Sequence, residues 1–339
     1  MMENNQSKTG YRIAFFGVKS WERPIIEKEI VNLDVYGVGI FEGELQDNIE
    51  LAKKYDIVSV FIYSKMDKEV LDKLPDLKMI ATRSTGVDHI DVGECKKRKI
   101  EVMSVQAYGS NTVAEYTFGL ILAVAKNIVE AHQAVEEDEF SPEGLTGIDL
   151  FGRTLGIVGL GKIGVNVAKM AKGFGMKILA VERTPDEKIV KKYGIKIVDL
   201  ETLLKESDVV TLHVPAMKET YHLINRDNIK LMKEGSILVN TARGAVVETS
   251  ALIWALNKNI LRGVGLDVVE EEDKVESLSM VMSQRPKKED LQDVLSYHML
   301  RDRDDVVFTP HNAFNTEEAI GRIIKTTVEN IKQFLKLVK

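Results

Sequence analysis

Gly156-Ile157-Val158-Gly159-Leu160-Gly161-Lys162-Ile163-Gly164 is the stretch on which the fold turns. An apolar run ends in three spaced glycines and passes straight into Val165-Asn166-Val167-Ala168-Lys169-Met170-Ala171, a helix-compatible segment. In such a unit Gly159 allows a tight turn, Gly161 lets a diphosphate approach the backbone, and Gly164 lets the new helix pack close to its strand. The N–H groups and dipole at the helix N-terminus then attract negative charge. The glycine spacing alone is a weak signal. It gains weight from a second strand-like run, Lys177-Ile178-Leu179-Ala180-Val181, that ends in Glu182, close to the roughly 20 residues expected before a ribose-binding carboxylate.

Downstream the alternation of strand and helix continues. Short apolar runs recur at 194–198, 208–214, 236–241, 263–268 and 306–309, which predicts a six- or seven-stranded doubly wound sheet. Upstream, runs at 12–16, 58–63, 77–83 and 100–105 predict a second parallel α/β sheet. Its glycines lack the phosphate-binding spacing, so that half is expected to hold something other than the nucleotide. The segment 111–127 reads as a long helix, apolar on nearly all sides and expected to be buried between domains or subunits. A charged, Met-bearing stretch at 274–299 reads as a helical insertion, and 316–339 as an amphipathic helix packing back on the first domain.

Composition narrows the class. The 339 residues are enough for two domains, and 44% hydrophobic with 29% charged content reads as soluble and globular. A net charge of −6 gives no basic footprint for nucleic acid. Cys95, the only cysteine, cannot form an internal disulfide, and the polar start Met1-Met2-Glu3-Asn4-Asn5-Gln6 lacks a signal peptide's apolar core. No apolar run approaches the ~20 residues of a membrane helix, so a cytoplasmic protein without membrane or nucleic-acid partners is expected. No metal-ligating pattern stands out.

In open α/β sheets ligands bind beyond the carboxyl ends of the strands. Four such ends are conspicuous: Arg83-Ser84-Thr85-Gly86-Val87-Asp88, Thr241-Ala242-Arg243-Gly244, Asp267-Val268-Val269-Glu270-Glu271-Glu272 and Thr309-Pro310-His311-Asn312-Ala313-Phe314. With Ala107-Tyr108-Gly109-Ser110-Asn111-Thr112, His213-Val214-Pro215 and the glycine loop, they resemble the D-2-hydroxyacid dehydrogenase family over 58–316, and within it the D-lactate dehydrogenase branch. The resemblance implies two doubly wound parallel-sheet domains: a flavodoxin-like substrate domain (1–110 plus 312–339) and a Rossmann NAD-binding domain (111–311) with a dimerisation arm. It also implies an active site in the cleft between them and a homodimer.

Carried over to this chain, the resemblance gives Arg243 the substrate carboxylate and carbonyl, His311 the acid/base step, and Glu272 the orientation of the histidine. The chemistry agrees, because reducing a 2-keto acid needs a proton for the developing alkoxide, which histidine supplies, and a nearby carboxylate favours the protonated ring. A guanidinium matches a planar carboxylate with two parallel hydrogen bonds. Thr85 and Gly86 would hold the carboxylate through backbone N–H groups, and Tyr108 and Phe314 would line the pocket. Toward NAD the resemblance gives Gly159, Gly161, Lys162, Ile163 and Gly164 at the diphosphate and Glu182 at the ribose. His213, Val214, Pro215 and Thr220 fall near the adenine, and Thr241, Ala242 and Asp267 toward the nicotinamide. Glu182 stands where the family more often has aspartate. Its charge repels a 2′-phosphate, while the adjacent Arg183 leaves tolerance of NADP open. The expected substrate is a small 2-keto or 2-hydroxy acid, pyruvate and D-lactate first. Two alternatives stay open: a larger 2-keto acid, and a nucleotide-sensing corepressor-like interaction protein.

Overall fold

The structure, a computed structural model, describes residues 9–31, 33–106, 108–270 and 288–338. The chain divides into two units, Met1–Tyr108 with Asn315–Lys339, and Gly109–Phe314.

In the first unit, strands β1 (Thr9–Phe15), β2 (Val35–Ile40), β3 (Ile57–Val60), β4 (Met79–Thr82) and β5 (Glu101–Met103) pair in parallel in the order β2-β1-β3-β4-β5. This is the flavodoxin-like order, with its topological switch between β1 and β3. β3 and β4 are buried along their whole length, which is why they read as mainly apolar runs, interrupted only by the buried hydroxyl groups of Ser59 and Thr82. β2 was not among the expected runs: Gly37 and Gly39 interrupt its pattern, and as an edge strand it exposes Tyr36 and Val38.

One face of this sheet is covered by the last helix, Glu317–Leu337. The Thr316 hydroxyl caps it by accepting the Ala319 N–H at 3.2 Å. Ile320, Ile324, Val328, Ile331 and Leu335 recur every three or four positions and pack on Ile13, Phe15, Ile57 and Met79. Burying each such side chain is worth about 1.5–3 kcal/mol, so this stripe fixes the helix on the sheet.

In the second unit, β6 (Thr154–Val158), β7 (Lys177–Val181), β8 (Ile195–Ile197), β9 (Val209–Leu212), β10 (Ser236–Asn240), β11 (Leu261–Leu266) and β12 (Val306–Phe308) form a seven-stranded parallel sheet in the order β12-β11-β10-β9-β6-β7-β8. That is the Rossmann order with one strand added, and its switch falls between β6 and β9. Aspartates supply local start signals: Asp186 and Asp199 accept first-turn N–H groups of the helices Glu187–Tyr193 and Leu200–Glu206, as Asp67 and Asp91 do in the first unit.

The long apolar helix spans Ser110–Lys126 and buries Phe118, Ile121, Val124 and Ala125 in a core cluster with Leu155, Ile157, Ile237 and Val239 of this unit's own sheet. Its apolar circumference is thus largely used within one unit. Asn127, at φ 49°, ends it in the left-handed region that asparagine tolerates. The following helix, Ile128–Glu136, has no buried residue; Phe140 and Phe151 beyond it are 93% and 81% exposed. Of the segment 274–299, residues 274–287 lie outside the described residues; the rest belongs to the helix Lys288–Arg301. Among the described residues no single helix is long and apolar enough to cross a membrane, and no cluster of three or more potential metal ligands occurs.

Candidate active site

At the switch of the second sheet, β6 runs into the glycine loop and β9 into His213. The three glycines meet three different constraints. Gly159 has φ +96°, and a Cβ there would lie 2.7 Å from the His213 carbonyl oxygen. A Cβ on Gly164 would lie 2.0 Å from the Gly159 carbonyl oxygen, so only glycine lets the helix start this close to the strand. A Cβ on Gly161 would meet nothing within 4 Å, which makes it the open side of the turn. The helix Lys162–Gly173 begins behind it with Gly161 as N-cap and no side-chain cap, so its first-turn amides, those of Lys162 and Ile163 among them, keep their donor character for an anion.

Glu182 follows β7 with its carboxylate fixed from three sides: the Leu160 N–H donates to one oxygen at 2.8 Å, and the Arg183 and Thr184 N–H groups to the other at 2.8 and 3.3 Å. It therefore ties the glycine loop to the neighbouring strand while keeping acceptor capacity for hydroxyl groups. Among the described residues both ring nitrogens of His213 are buried without a hydrogen-bond partner, although the residue retains some exposed surface. Desolvation lowers its pKa from 6.5 to about 3, which keeps the ring neutral. Unpartnered buried polar atoms beside an open glycine turn, with a fixed carboxylate one strand away, fit an adenine dinucleotide. Val214 and Pro215 follow in the same loop. Thr220 has a more local duty: its hydroxyl donates to the Pro215 carbonyl oxygen at 2.6 Å and accepts the Met217 N–H at 2.8 Å, closing the turn.

Beyond β10, Asn240 shapes the loop that bears Arg243. Its amide donates to the Arg243 carbonyl oxygen at 2.9 Å, and its oxygen accepts the Ala242 N–H at 3.0 Å. The Thr241 hydroxyl pairs with that of Thr117 at 2.9 Å, and one guanidinium nitrogen of Arg243 donates to the Ala242 carbonyl oxygen at 2.8 Å.

Asp267, just after β11, clamps the His311 loop. Its buried carboxylate accepts the Thr309 hydroxyl at 2.6 Å and the Asn312 and Ala313 N–H groups at 2.8 Å each, while its carbonyl oxygen accepts the His311 N–H at 2.9 Å. His311 itself sits at φ 49°, a conformation this clamp sustains. Burial pushes the Asp267 carboxyl above its ordinary value, against the Thr309 hydroxyl, the two amides and His311, which pull it down. The resemblance turned Asp267 toward the nicotinamide. In the structure its carboxylate is occupied by the loop that presents the histidine.

Glu272 lies outside the described residues. Of its neighbours, Glu270 is committed elsewhere: one oxygen pairs with His222 Nε2 at 2.5 Å, and the other accepts the Thr249 N–H and hydroxyl at 2.7 Å each. His222 carried no motif in the sequence, and only its three-dimensional neighbours reveal this pairing.

Thr85, Gly86 and Tyr108 belong to the first unit, and Arg243, His311 and Phe314 to the second. The Thr85 hydroxyl donates to the Val105 carbonyl oxygen at 2.7 Å, and the Ser84 hydroxyl to that of Gly86 at 2.7 Å, so the turn after β4 is braced by its own side chains. The Tyr108 carbonyl oxygen accepts from Arg322 Nε at 2.5 Å. The resemblance gives Arg83 no role. It is almost wholly buried, with its guanidinium donating to the carbonyl oxygens of Phe16 and Gly17 at 2.8 and 3.1 Å and of Ser59 at 3.3 Å. Cys95 lies in the core of this unit, and burial pushes its thiol up.

Residues 118–313 match the family model described as D-isomer specific 2-hydroxyacid dehydrogenase, NAD binding domain. A glyoxylate reductase of Thermococcus litoralis is 46% identical over 231 residues, 66% of this chain and 70% of that one. A 2-hydroxyacid dehydrogenase homolog of Haemophilus influenzae is 36% identical over 94% of this chain and 95% of its own. The crystal structure of D-lactate dehydrogenase from Aquifex aeolicus complexed with NAD and lactic acid superposes with a TM-score of 0.85 at 37% identity, covering 96% of this chain and 95% of that one.

Proposed function

The chain belongs to the D-isomer specific 2-hydroxyacid dehydrogenase family, and on that footing we propose that it is a D-lactate dehydrogenase, interconverting pyruvate and D-lactate with NADH and NAD. When bound, the nicotinamide gives or takes the hydride. In this reading the protein's groups do the rest. Arg243 grips the keto acid's carboxylate in a bidentate pair and polarises its carbonyl. His311 donates the proton that the new alkoxide requires and takes it back in the reverse direction. Glu272 orients the imidazole. The backbone N–H groups of Thr85 and Gly86 hold the carboxylate, and Tyr108 and Phe314 crowd the side chain at C3.

One observation carries this reading: the Asp267 clamp builds a loop around a single histidine at a strand's carboxyl end. That is more structure than a packing histidine needs. Glu182 favours NAD over NADP, because a carboxylate at the ribose repels a 2′-phosphate. The bare apolar arm of Ile128, Val135, Phe140 and Phe151 suits a cytoplasmic homodimer, in which a second copy covers it.

A second reading, glyoxylate as the preferred acid, draws on the Thermococcus litoralis relative, which bears the name glyoxylate reductase. Steady-state reduction of glyoxylate, pyruvate and branched or aromatic 2-keto acids with NADH and NADPH separates the two. The proposal expects the highest kcat/KM with pyruvate and NADH, with neighbouring acids lower by about 10- to 200-fold per methylene misfit. A preference for glyoxylate keeps the family and rejects lactate.

A further inference from the structure

We propose that His89 is a positioning residue for the substrate-carboxylate turn, acting through a one-way hydrogen-bond relay that ends on the Gly86 peptide. The role of that turn rests on the functional reading above; the relay itself does not. His89 follows Asp88 in the turn after β4 and is half-buried, while Thr82 and Ser84 are buried at 0% and 4% exposure. His89 Nε2 lies 3.1 Å from the Thr82 hydroxyl, which lies 2.7 Å from the Ser84 hydroxyl, which lies 2.7 Å from the Gly86 carbonyl oxygen.

The direction of the chain follows from counting protons. A carbonyl oxygen only accepts, so the single hydroxyl proton of Ser84 goes to Gly86. Ser84 must then accept from Thr82, which spends the only proton Thr82 has. Thr82 must in turn accept from His89, so Nε2 carries a hydrogen. Either the Nε2–H tautomer or the imidazolium meets this requirement, and the Nδ1–H tautomer does not. Burial of both hydroxyl groups raises the penalty for a broken link, because water is not at hand to replace it.

The relay ends where the reading needs rigidity. The Gly86 carbonyl belongs to the peptide that leads out of the Thr85-Gly86 pair, and Thr85 is fixed from the other side by its hydroxyl bond to Val105. The Val105 N–H in turn donates to the Ser84 carbonyl oxygen at 2.9 Å. Holding Gly86 from within the turn leaves the Thr85 and Gly86 N–H groups fixed in direction for a carboxylate. The chemistry of His89 is thus positional and confined to ground-state binding.

The test has a spectroscopic and a kinetic arm. In the full-length protein, ¹⁵N-edited NMR of the histidine rings should show His89 protonated at Nε2; a bare Nε2 overturns the relay whatever the enzyme does. His89→Leu should raise KM for the keto acid about 10-fold, the loss of roughly one buried hydrogen bond, with kcat and NADH affinity within about twofold. His89→Gln, which keeps an N–H at similar reach, should recover most of the loss. Thr82→Val should reproduce the KM effect and add little to His89→Leu. An unchanged KM in His89→Leu, or a Gln variant as impaired as the Leu one, overturns the positioning role and leaves the proposed activity standing. A wild-type protein that reduces no 2-keto acid overturns that activity and the positioning role with it, and the ring spectrum still decides the relay.

Discussion

The two sheets share a topological device and fill it in opposite ways. Each has a switch point where a crevice opens beyond the strand ends: between β1 and β3 in the first unit, and between β6 and β9 in the second. In the first, the Arg83 guanidinium occupies the crevice: its two terminal nitrogens donate to the Phe16, Gly17 and Ser59 carbonyl groups, while Nε makes no hydrogen bond among the described residues and lies 4.0 Å from the Glu22 carboxylate. Its burial lowers the guanidinium pKa, and Glu22 and Glu44 pull it back up. In the second, among the described residues, nothing lies within 4 Å of where a Gly161 Cβ would be, and the polar ring atoms of His213 are left without partners. Doubly wound topology therefore offers the crevice, and the residue at the strand end decides whether a nucleotide can use it.

The largest effect that sharpens this contrast is on stability in the first unit. Arg83→Met fills the space but strands the Phe16 and Gly17 carbonyl groups, and at about 1–3 kcal/mol per buried orphan it should lower the unfolding free energy by roughly 3 kcal/mol or more. Denaturant melts should report that loss, and NADH titration should show unchanged affinity in the folded fraction. A large fall in NADH affinity would mean the first crevice takes part in nucleotide binding after all.

Gly164→Ala tests the other crevice. Its methyl would lie 2.0 Å from the Gly159 carbonyl oxygen, so the helix N-terminus must move. Overpacking of about 1–3 kcal/mol, felt at the diphosphate, should weaken NADH binding some 5- to 150-fold by fluorescence titration. Undiminished binding breaks the comparison.

Of similar size is Asp267→Asn, which keeps the shape but aims an amide at donors. Loss of one or two charge-assisted bonds on the His311 loop, about 1.5–3 kcal/mol, should appear in kcat with NADH affinity nearly retained. A selective rise in the Kd for NADH would instead support the nicotinamide-side role that the resemblance implies for Asp267.

The smallest expected effect is pH-dependent. His213 is lowered from 6.5 to about 3 by burial, so above pH 6.5 it places no proton-linked load on folding. As pH falls below that value the unfolded chain takes up a proton that the folded one refuses, and stability declines by as much as about 1.4 kcal/mol per pH unit. His213→Phe should flatten the acid limb of the stability profile between pH 6.5 and 5. Asp267, shifted in the opposite sense, is common to both proteins and cancels. Parallel limbs would show that the ring nitrogens are hydrated.

Most of the second unit was legible in the sequence, because its central strands β6, β9, β10 and β11 are buried nearly throughout and the glycine loop has a fixed grammar. The Asp267 clamp was not, since it joins residues 42 to 46 positions apart, and neither was the His222–Glu270 pair, 48 apart. No local pattern encodes such contacts. In the first unit β2 was hidden by Gly37 and Gly39 in an edge strand that needs only half an apolar pattern. Arg83 reads as a polar strand end until its partners are known; an arginine following an apolar run carries no signal of being buried.

The central claim is that His311 serves proton transfer to a 2-keto acid in a protein that binds its nicotinamide cofactor independently of that histidine. Replacing His311 by Gln and measuring pyruvate turnover, product chirality and NADH affinity on the same preparation addresses it most directly. The account predicts D-lactate from the unaltered protein, a fall in kcat on the order of 10²–10⁴-fold in the variant, and NADH affinity within about twofold. Predominantly L-lactate from the unaltered protein, or a variant that still turns over at the original rate, would contradict it.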